Sequence, residues 1–409
     1  MLFSIVYGLI LVAVTLAGVE ILASFLVPPW PQRALRSVEV AASPQAGINS
    51  WGMRDRERTI DKPAGVGSRV TIVGDSFVEN HATRLSLPIA IEQKLSAKAS
   101  PIEVVSLGVS ATGIASYYYR LKDVGLAMGS DAIVVLFYAG NDFVAANESF
   151  DSWNFPPLID ESPGRAILGR IMPRTNWLLI NRLRLSELLK GNKGVENEVD
   201  TLIRAIRLPP DERVRALSRH VKTYYHPEMP EAQIAEIIGR AGPGFWQQFE
   251  ERDVDREQLY GWILDLLVGK DIDRFAGLSL TPEDAARIVS REEIVATLSW
   301  LKAMNDVARA RGVPLLLALA PVALVDPTFA DFWKPWPRFF GWNYLSDARH
   351  TQLATALAGT DIHVVDLRAD LAGIPNTYRK ADAHWTEKGL DIVASRLTRE
   401  IEALAGRKR

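Results

Sequence analysis

The stretch Arg69-Val-Thr-Ile-Val-Gly-Asp-Ser-Phe-Val78 decides how the rest of the chain is interpreted. Its apolar residues run directly into Gly-Asp-Ser, and the sequence then turns polar before a helical pattern begins near Leu87. This pattern predicts a buried parallel strand that ends in a tight turn. In an open α/β sheet, ligands bind at the carboxyl ends of the strands, beside the start of the next helix. Ser76 therefore stands where backbone N–H groups would surround a nucleophile, although Gly-Asp followed by an N-cap serine is also an ordinary turn.

The composition narrows the classes of function. The chain has 409 residues, of which 48% are hydrophobic, with a formal net charge of -2 and no cysteine. This length fits one large domain with an insertion, or two domains. Because there is no basic excess to meet phosphates, the composition does not favour a nucleic-acid partner. The lack of cysteine excludes disulfides, thiolate catalysis and zinc sites built on cysteine.

An apolar run over residues 2–27 is interrupted only by Glu20 and a few small polar residues. Its length matches the ~20 residues that a helix needs to cross a bilayer. The proline-rich segment that follows offers no small-residue cleavage site, so we predict an uncleaved single-pass anchor over residues 1–30. Applied literally, the positive-inside rule would place the body in the cytoplasm, because Arg33 and Arg36 follow the helix. Glu20 would either reach toward the interface or contact a partner helix.

The rest of the sequence alternates strand and helix patterns around one long interruption. Strand patterns recur at residues 102–108, 131–140, 314–321 and 362–366, with amphipathic segments between them, which predicts right-handed crossovers and a parallel sheet covered on both faces. The interruption contains helical pieces at residues 177–189, 212–224, 231–238 and 257–268. The predicted segments are an anchor at 1–30, a collar at 31–68, the first part of the core at 69–149, a helical insertion at 150–280 and the second part of the core at 281–409.

Residues 329–344 contain eight aromatic side chains in sixteen residues, together with prolines. We predict that this segment is an irregular loop and not a regular amphipathic element. Its aromatic residues could pack under the insertion. They could instead form a stacking surface for sugar rings or an acyl group, or a wedge at the lipid interface.

Four blocks fall at the predicted ends of strands or just beyond them: Gly74-Asp75-Ser76, Gly108, Gly140-Asn141-Asp142 and Asp382-Ala-His384-Trp385. Together and in this order they resemble the SGNH/GDSL hydrolase family. The resemblance covers the chain outside the anchor, the collar and the insertion. It implies a flavodoxin-like three-layer α/β/α fold with a parallel sheet of about five strands.

The resemblance also implies a division of chemical roles. Ser76 would be the nucleophile, His384 the general base and Asp382 the residue that orients the imidazole. The backbone N–H groups of Ser76 and Gly108 and the side-chain amide of Asn141 would form the oxyanion hole. No metal or cofactor is implied. Without the resemblance, His384 could face solvent, Asp382 could cap a helix and Asn141 could belong to a simple turn.

One departure from the family pattern suggests a subtype. Position 381, where the pattern places the acid, is alanine, and the spacing Asp382-x-His384-Trp385 is similar to that of SGNH-like O-acetyltransferases of extracellular polysaccharides. Such relatives are often membrane-anchored beside a multipass acyl-transfer protein, which favours a periplasmic or other extracytoplasmic body. We therefore expect a serine esterase or O-acyltransferase that acts on acyl esters, such as acetyl esters, of cell-envelope carbohydrate. The alternatives are a non-catalytic SGNH-fold subunit of a membrane complex and a lipid esterase.

Overall fold

The computed structural model describes most of the chain outside the central insertion. The described residues are 2–26, 49, 53–97, 102–110, 112–143, 172, 174–175, 204–224, 228, 230–239, 245–246, 281–334, 337–380 and 383–406, without the side chains of 2–6, 9–10, 24, 224, 237, 337–342 and 405–406.

Five parallel strands form one sheet in the order β2-β1-β3-β4-β5. The strands are β1 (Ser68–Gly74), β2 (Ile102–Gly108), β3 (Ala132–Tyr138), β4 (Leu315–Ala320) and β5 (His363–Asp366). Gly74 pairs with Gly108, so β1 and β2 end at the same level. The order reverses direction on either side of β1, which is the flavodoxin-like arrangement that places a ligand cleft at that point. The predicted α/β fold with a five-stranded parallel sheet is thus confirmed.

Helices cover both faces of this sheet. In chain order the described helices are α1 (Leu2–Ser24), α2 (Ser76–Glu79), α3 (Leu87–Ser96), α4 (Ile114–Arg120), α5 (Pro210–Tyr224), α6 (Glu231–Gly239), α7 (Pro282–Ile288), α8 (Arg291–Ala310), α9 (Pro327–Trp333), α10 (Pro337–Leu357), α11 (Arg368–Leu371) and α12 (Glu387–Gly406).

Two hydrophobic cores lie on opposite faces of the sheet. On β1, Val70 and Ile72 face a core that includes residues of α3 and α12. Val73, which points the other way, joins a core that includes residues of α4 and α8. Because successive strand residues point to opposite faces, one apolar strand serves both cores. The three-layer arrangement follows from this.

The apolar run at the beginning of the chain forms α1. Its described large apolar side chains are exposed, including Leu11, Val14 and Leu22. In α1 the structure describes the side chains of residues 7–8 and 11–23. Among the described residues, no helix is long and apolar enough to cross a membrane. Membrane anchoring therefore stays a prediction from the sequence.

Glu20 contacts the central region of the chain. Its carboxylate accepts hydrogen bonds from the backbone N–H groups of Arg174 at 2.7 Å and Thr175 at 3.0 Å, and from the Thr175 hydroxyl at 2.9 Å. The predicted roles for Glu20, a residue near the interface that reaches outward or a contact to a partner helix, stay predictions. Within the chain, Glu20 contacts residues 174–175.

The expectation that the aromatic segment is irregular is wrong, because most of it is helical. Helix α9 and helix α10 each begin at a proline, Pro327 and Pro337. Proline is favoured at the first position of a helix because its missing N–H would have no partner there. The Phe245 ring stacks on Phe332 with the centroids 4.9 Å apart, and Trp333 is fully buried. These aromatic residues pack against a residue of the predicted insertion, which was the first of the alternatives.

Two helices of the predicted insertion are described. Helices α5 and α6 lie where the sequence predicted them, at residues 212–224 and 231–238. The helices predicted at 177–189 and 257–268 lie outside the described residues. The domain boundaries stay predictions.

A buried ion network fixes the end of the predicted collar to the sheet. Arg58 donates to Asp55 at 2.7 and 2.9 Å, and Arg58 and Arg69 both bond the Glu103 carboxylate on β2. The side chains of all four residues are 1% exposed or less. Paired and hydrogen-bonded charges are the form in which such groups tolerate burial. Residues 53–58, here named the collar loop, are therefore part of the folded body.

Candidate active site

The Gly-Asp-Ser turn joins β1 to α2. Asp75 is the N-cap residue of α2, and its Oδ1 accepts a hydrogen bond from the backbone N–H of Phe77 at 2.9 Å. Ser76 is the first residue of the helix and is half-buried, whereas Asp75 is fully buried. This bond braces the turn and makes Asp75, not Ser76, the cap of the helix. Ser76 itself is left accessible at the carboxyl end of the sheet.

The strand-ending glycines allow α2 to lie directly on the sheet. A Cβ placed on Gly74 or on Gly108 would come within 2.5 Å of side-chain atoms of Val78. The Gly108 N–H, predicted to serve an oxyanion hole, donates to the Ser106 hydroxyl oxygen at 3.3 Å, a long bond that a stronger acceptor could replace. Packing against Val78 therefore requires glycine at position 108, whether or not its N–H serves an oxyanion hole.

Asn141 follows β3 at the same edge of the sheet. It is exposed. Burial raises the pKa of the Asp75 carboxyl group, and Asn141 lowers it. Asn141 therefore lies near the Ser76 turn. Its part in an oxyanion hole stays a prediction.

Two buried carboxyl groups lie behind the turn. Burial raises the pKa of Asp75, opposed by the Phe77 N–H, the charge of His384 and the Asn141 amide. Burial and then the charge of Asp75 raise the pKa of Asp142 well above its usual range. Burial also lowers the pKa of Arg120, behind the same turn, to about 10. Groups perturbed in this way by burial and by one another cluster at functional sites.

The Asp142 carboxylate is nevertheless well satisfied. The Tyr117 hydroxyl donates to Oδ1 at 2.6 Å, and the Tyr138 backbone N–H donates to Oδ2 at 2.7 Å. Sequence reasoning treated Asn141-Asp142 only as a motif or a turn. The turn is real, since the Asp142 N–H donates to the Tyr138 carbonyl at 3.2 Å, but the buried Tyr117 partner had no signal in the sequence.

His384 reaches the site from near the other end of the chain. Its ring packs on Phe77, the residue after Ser76, with centroids 4.8 Å apart and planes tilted by 32°. The Trp385 ring contacts the same Phe77 edge-on at 4.9 Å. The structure thus brings His384 beside the Ser76 turn. Asp382, the predicted orienting acid, lies outside the described residues.

The segment that carries His384, residues 376–386, is held by a buried carboxylate that sequence reasoning missed. Asp326 accepts hydrogen bonds from the backbone N–H groups of Thr377 at 2.7 Å, Tyr378 at 2.9 Å and Asn376 at 3.2 Å. It also caps α9 through the Thr328 N–H. The only sequence signal was an aspartate preceding Pro327, which indicates a helix start and nothing about the partner segment.

Backbone strain occurs next to the histidine. Ala383 has φ +56°, a left-handed conformation that a residue with a Cβ adopts at some cost. Its N–H donates to the Arg379 carbonyl at 3.0 Å, and the Arg379 N–H donates to the His384 carbonyl at 2.8 Å. Residues held in such conformations cluster at functional sites because the surrounding structure must enforce them.

Other described histidines have settings of their own. His81 lies 3.4 Å from the Glu79 carboxylate, His350 bonds Asp366 at 2.9 Å, and His363 lies 3.5 Å from Glu400. No group of three potential metal ligands that could hold an ion occurs among the described residues. A hydroxyl, an imidazole and backbone or amide donors thus meet at one edge of the sheet, and these are the components of serine-dependent acyl transfer.

Comparisons with known proteins give distant structural similarity. No protein-family model matches the sequence, and no curated protein matches it. The chain is similar to a GDSL-like lipase from Bacteroides thetaiotaomicron, with a TM-score of 0.35 and 10% identity over 83% of this chain and 91% of that one. It is also similar to a lipase/acylhydrolase from Enterococcus faecalis, with a TM-score of 0.31 and 12% identity over 82% of this chain and 96% of that one.

Proposed function

We propose that this chain is a serine enzyme that removes or transfers a short acyl group through an acyl-Ser76 intermediate. The observation that carries the proposal is the contact of the His384 ring with Phe77, the neighbour of Ser76. A serine hydroxyl is a weak nucleophile unless an imidazole takes its proton. The His384 ring lies against the residue that follows Ser76, and Ser76 is half-buried and starts α2 at the carboxyl end of β1.

The reaction would proceed in two steps. Ser76 Oγ attacks the acyl carbonyl while His384 accepts the hydroxyl proton, and the same proton then passes to the leaving alcohol. In the second step water or a sugar hydroxyl loses its proton to His384 and attacks the acyl-serine, and His384 returns the proton to Ser76 Oγ as the acyl group leaves. The N–H groups of Ser76 and Gly108 and the Asn141 amide would stabilise the oxyanion, and one such donor typically lowers the barrier by ~3 kcal/mol. Asp382 would orient the imidazole.

The proposed substrate is an acyl ester, such as an acetyl ester, of cell-envelope carbohydrate, and the proposed location is a membrane-anchored, extracytoplasmic body. Support comes from the Asp-x-His-Trp spacing at residues 382–385 and from the apolar run over residues 2–27. The exposed apolar side chains of α1 are compatible with lipid contact. A multipass membrane protein would be a natural acyl donor in the transferase case.

The core of the proposal is tested by labelling with a serine-reactive phosphonate. We expect a covalent adduct on the wild-type chain, none on Ser76→Ala, and labelling slowed at least about 10³-fold in His384→Ala. His363→Ala is the matched control, because that histidine is 38% exposed and lies at the start of β5, at the opposite end of the sheet. Labelling that survives Ser76→Ala unchanged would refute the proposal.

Hydrolysis and transfer are separated by a second assay. An activated acetyl ester is supplied with and without an oligosaccharide acceptor, and free acetate and acetylated sugar are both quantified. Acetylated sugar in excess of acetate would establish transfer, which requires a site that excludes water. Release of acetate alone would leave an esterase, and a preference for long-chain phospholipid esters over acetyl esters would indicate a lipid esterase.

A second candidate, a non-catalytic subunit with the same fold, is favoured by a specific observation. The Gly108 N–H, one of the three proposed oxyanion donors, already has a partner within the protein, the Ser106 hydroxyl oxygen at 3.3 Å. A scaffold would keep this contact permanently. The phosphonate experiment distinguishes the candidates, because a scaffold would give no Ser76-dependent adduct.

A further inference from the structure

A short turn connects the serine helix to the histidine segment. Residues 79–84, here named the bridging turn, begin at the last residue of α2, three residues after Ser76, and the Asn80 N–H donates to the Ser76 carbonyl at 2.7 Å. On its other side the Asn80 side-chain amide donates to the Trp385 carbonyl at 3.5 Å, and the Arg84 N–H donates to Glu387 at 2.6 Å. The position of this turn therefore affects how Ser76 and His384 face each other.

One guanidinium group holds the bridging turn together. Arg54 donates through Nη1 to the carbonyls of Glu79, at 2.8 Å, and Asn80, and through Nη2 to those of Thr83 and Arg84, the last at 3.1 Å. Asn80 has φ +39°, so the chain reverses there and turns its carbonyls toward one point. An arginine guanidinium is planar and carries five N–H donors, so it can bond all four backbone carbonyls of the turn. A lysine ammonium group cannot reach all four carbonyls in a fixed geometry.

Arg54 is itself fixed to the sheet by its neighbour. Asp55 Oδ2 accepts a hydrogen bond from the Ser106 N–H at 3.0 Å, two residues before Gly108 on β2. Asp55 is also held by Arg58 inside the buried ion network. The collar loop thus connects the strand that ends at Gly108 with the turn that follows Ser76.

From this geometry we infer that Arg54 is a positioning residue for the reaction at Ser76, acting through the bridging turn. The inference rests on the proposed function. Without the guanidinium, four carbonyls lose their common donor and the turn can relax away from Trp385. Misplacement of reacting groups by about 1 Å can slow a reaction about 10²-fold without loss of substrate affinity.

The test is Arg54→Ala in the full chain, assayed with an activated acetyl ester. We expect kcat to fall about 10²-fold while KM changes less than about threefold. Millimolar guanidinium should restore part of kcat in this variant, because Arg54 is partly exposed and its removal opens an accessible space. Urea, an uncharged molecule of the same shape, should not. Absence of rescue in a folded Arg54→Ala protein would overturn the inference.

Arg56→Ala is the matched control. Arg56 belongs to the same collar loop, its side chain is 51% exposed, and its ion pairs run to Glu92 at 3.0 Å and Glu103 at 3.2 Å. We expect wild-type kcat in this variant and an intermediate kcat in Arg54→Lys, which keeps the charge but not the fork. Equal kcat in Arg54→Ala and Arg56→Ala would overturn the inference. If Arg54→Ala does not fold, the inference is tested with Arg54→Lys alone. A wild-type kcat in Arg54→Lys would then overturn the inference.

Amide hydrogen exchange separates this inference from the proposed function. Protection over residues 76–84 should fall in Arg54→Ala and stay at the wild-type level in Arg56→Ala. Unchanged protection in Arg54→Ala would overturn the inference, whatever the activity. A different outcome would count against the proposed function: protection is lost in Arg54→Ala, but the wild-type chain neither hydrolyses esters nor reacts at Ser76. That outcome would overturn the proposed function, and with it Arg54's role in a reaction.

Discussion

Val78 lies against two glycines, and this contact decides how closely the serine helix approaches the sheet. The motif resemblance assigned Gly108 to an oxyanion hole, but the 2.5 Å approach of its hypothetical Cβ to Val78 shows a packing requirement that holds with or without catalysis. A sequence motif does not separate the two reasons for a glycine. The same residue can serve both, because a helix packed this closely also brings its backbone to the strand end.

Gly108→Ala is therefore expected to destabilise the protein. Forcing a methyl group into a filled contact typically costs about 1–3 kcal/mol, and the free energy of unfolding in urea measures it. Gly113→Ala is the control, because a Cβ there would meet nothing within 4 Å. Equal stability of the two variants would contradict the packing argument.

The buried carboxyl group of Asp142 makes stability depend on pH. Its folded-state pKa is raised above the unfolded value of ~3.9. The folded state therefore holds the proton more tightly, and this stabilisation is present at low pH and is lost as pH rises through the folded pKa.

Asp142→Asn removes this dependence while keeping a partner for Tyr117 and Tyr138. We expect the unfolding free energy of the variant minus that of wild type to increase as pH rises from about 4 toward the raised pKa. Asp306→Asn, where the carboxylate is 61% exposed, should show a much flatter difference. A difference for Asp142→Asn that falls with pH would contradict the raised pKa.

At the scale of elements, the buried strands were the most predictable part. Fully buried parallel strands have continuous apolar sequences, so β2, a run with every residue buried, was predicted with the bounds that the structure gives. Residues 282–310 form two helices and not one, because the backbone leaves the helical conformation at Val289, with φ -59° and ψ 124°, between α7 and α8. The aromatic segment was expected to be irregular partly because it contains prolines, whereas Pro337 begins α10 and Pro327, just before the segment, begins α9.

The histidine segment depends on an element far away in the sequence. Asp326→Ala would leave three backbone N–H groups of residues 376–378 without their acceptor, and one buried unsatisfied group costs about 1–3 kcal/mol. We expect a loss of several kcal/mol in unfolding free energy. We also expect a lower rate of phosphonate labelling at Ser76, measured under conditions where the variant remains folded.

Asp331→Ala is the matched control for that prediction, because it lies on α9 itself, downstream of the cap. It should leave the labelling rate near the wild-type value. Labelling of Asp326→Ala at the wild-type rate would show that the segment keeps His384 in place without this carboxylate.

For the whole molecule, the placement of His384 beside the Ser76 turn was expected from the motif resemblance and not from the pattern of the chain. Periodicity predicts that strands end at a common edge, but it does not state which loop returns to which strand end. The contacts that settle this are long-range, such as Asn80 to Trp385 and Arg84 to Glu387. The collar was predicted only as a segment at 31–68, and the contact of the collar loop with the bridging turn, made by the Arg54 side chain, had no signal in the sequence.

Two truncations test how the beginning of the chain relates to the folded body. Asn49 is the first described residue of the predicted collar, and it is tied to the collar loop: its N–H donates to the Met53 carbonyl at 2.9 Å and its Oδ1 accepts from the Met53 N–H at 3.0 Å. A chain of residues 49–409 should therefore keep Ser76-dependent labelling, whereas residues 60–409, which lack Arg54 and Arg58, should lose it. Equal labelling of both truncations would show that the collar loop is dispensable for the site.

The shorter chain also tests the predicted anchor. If α1 is an anchor, the full chain stays with membranes through an alkaline wash and residues 49–409 are recovered in the supernatant. Recovery of the full chain in the wash would contradict the anchor.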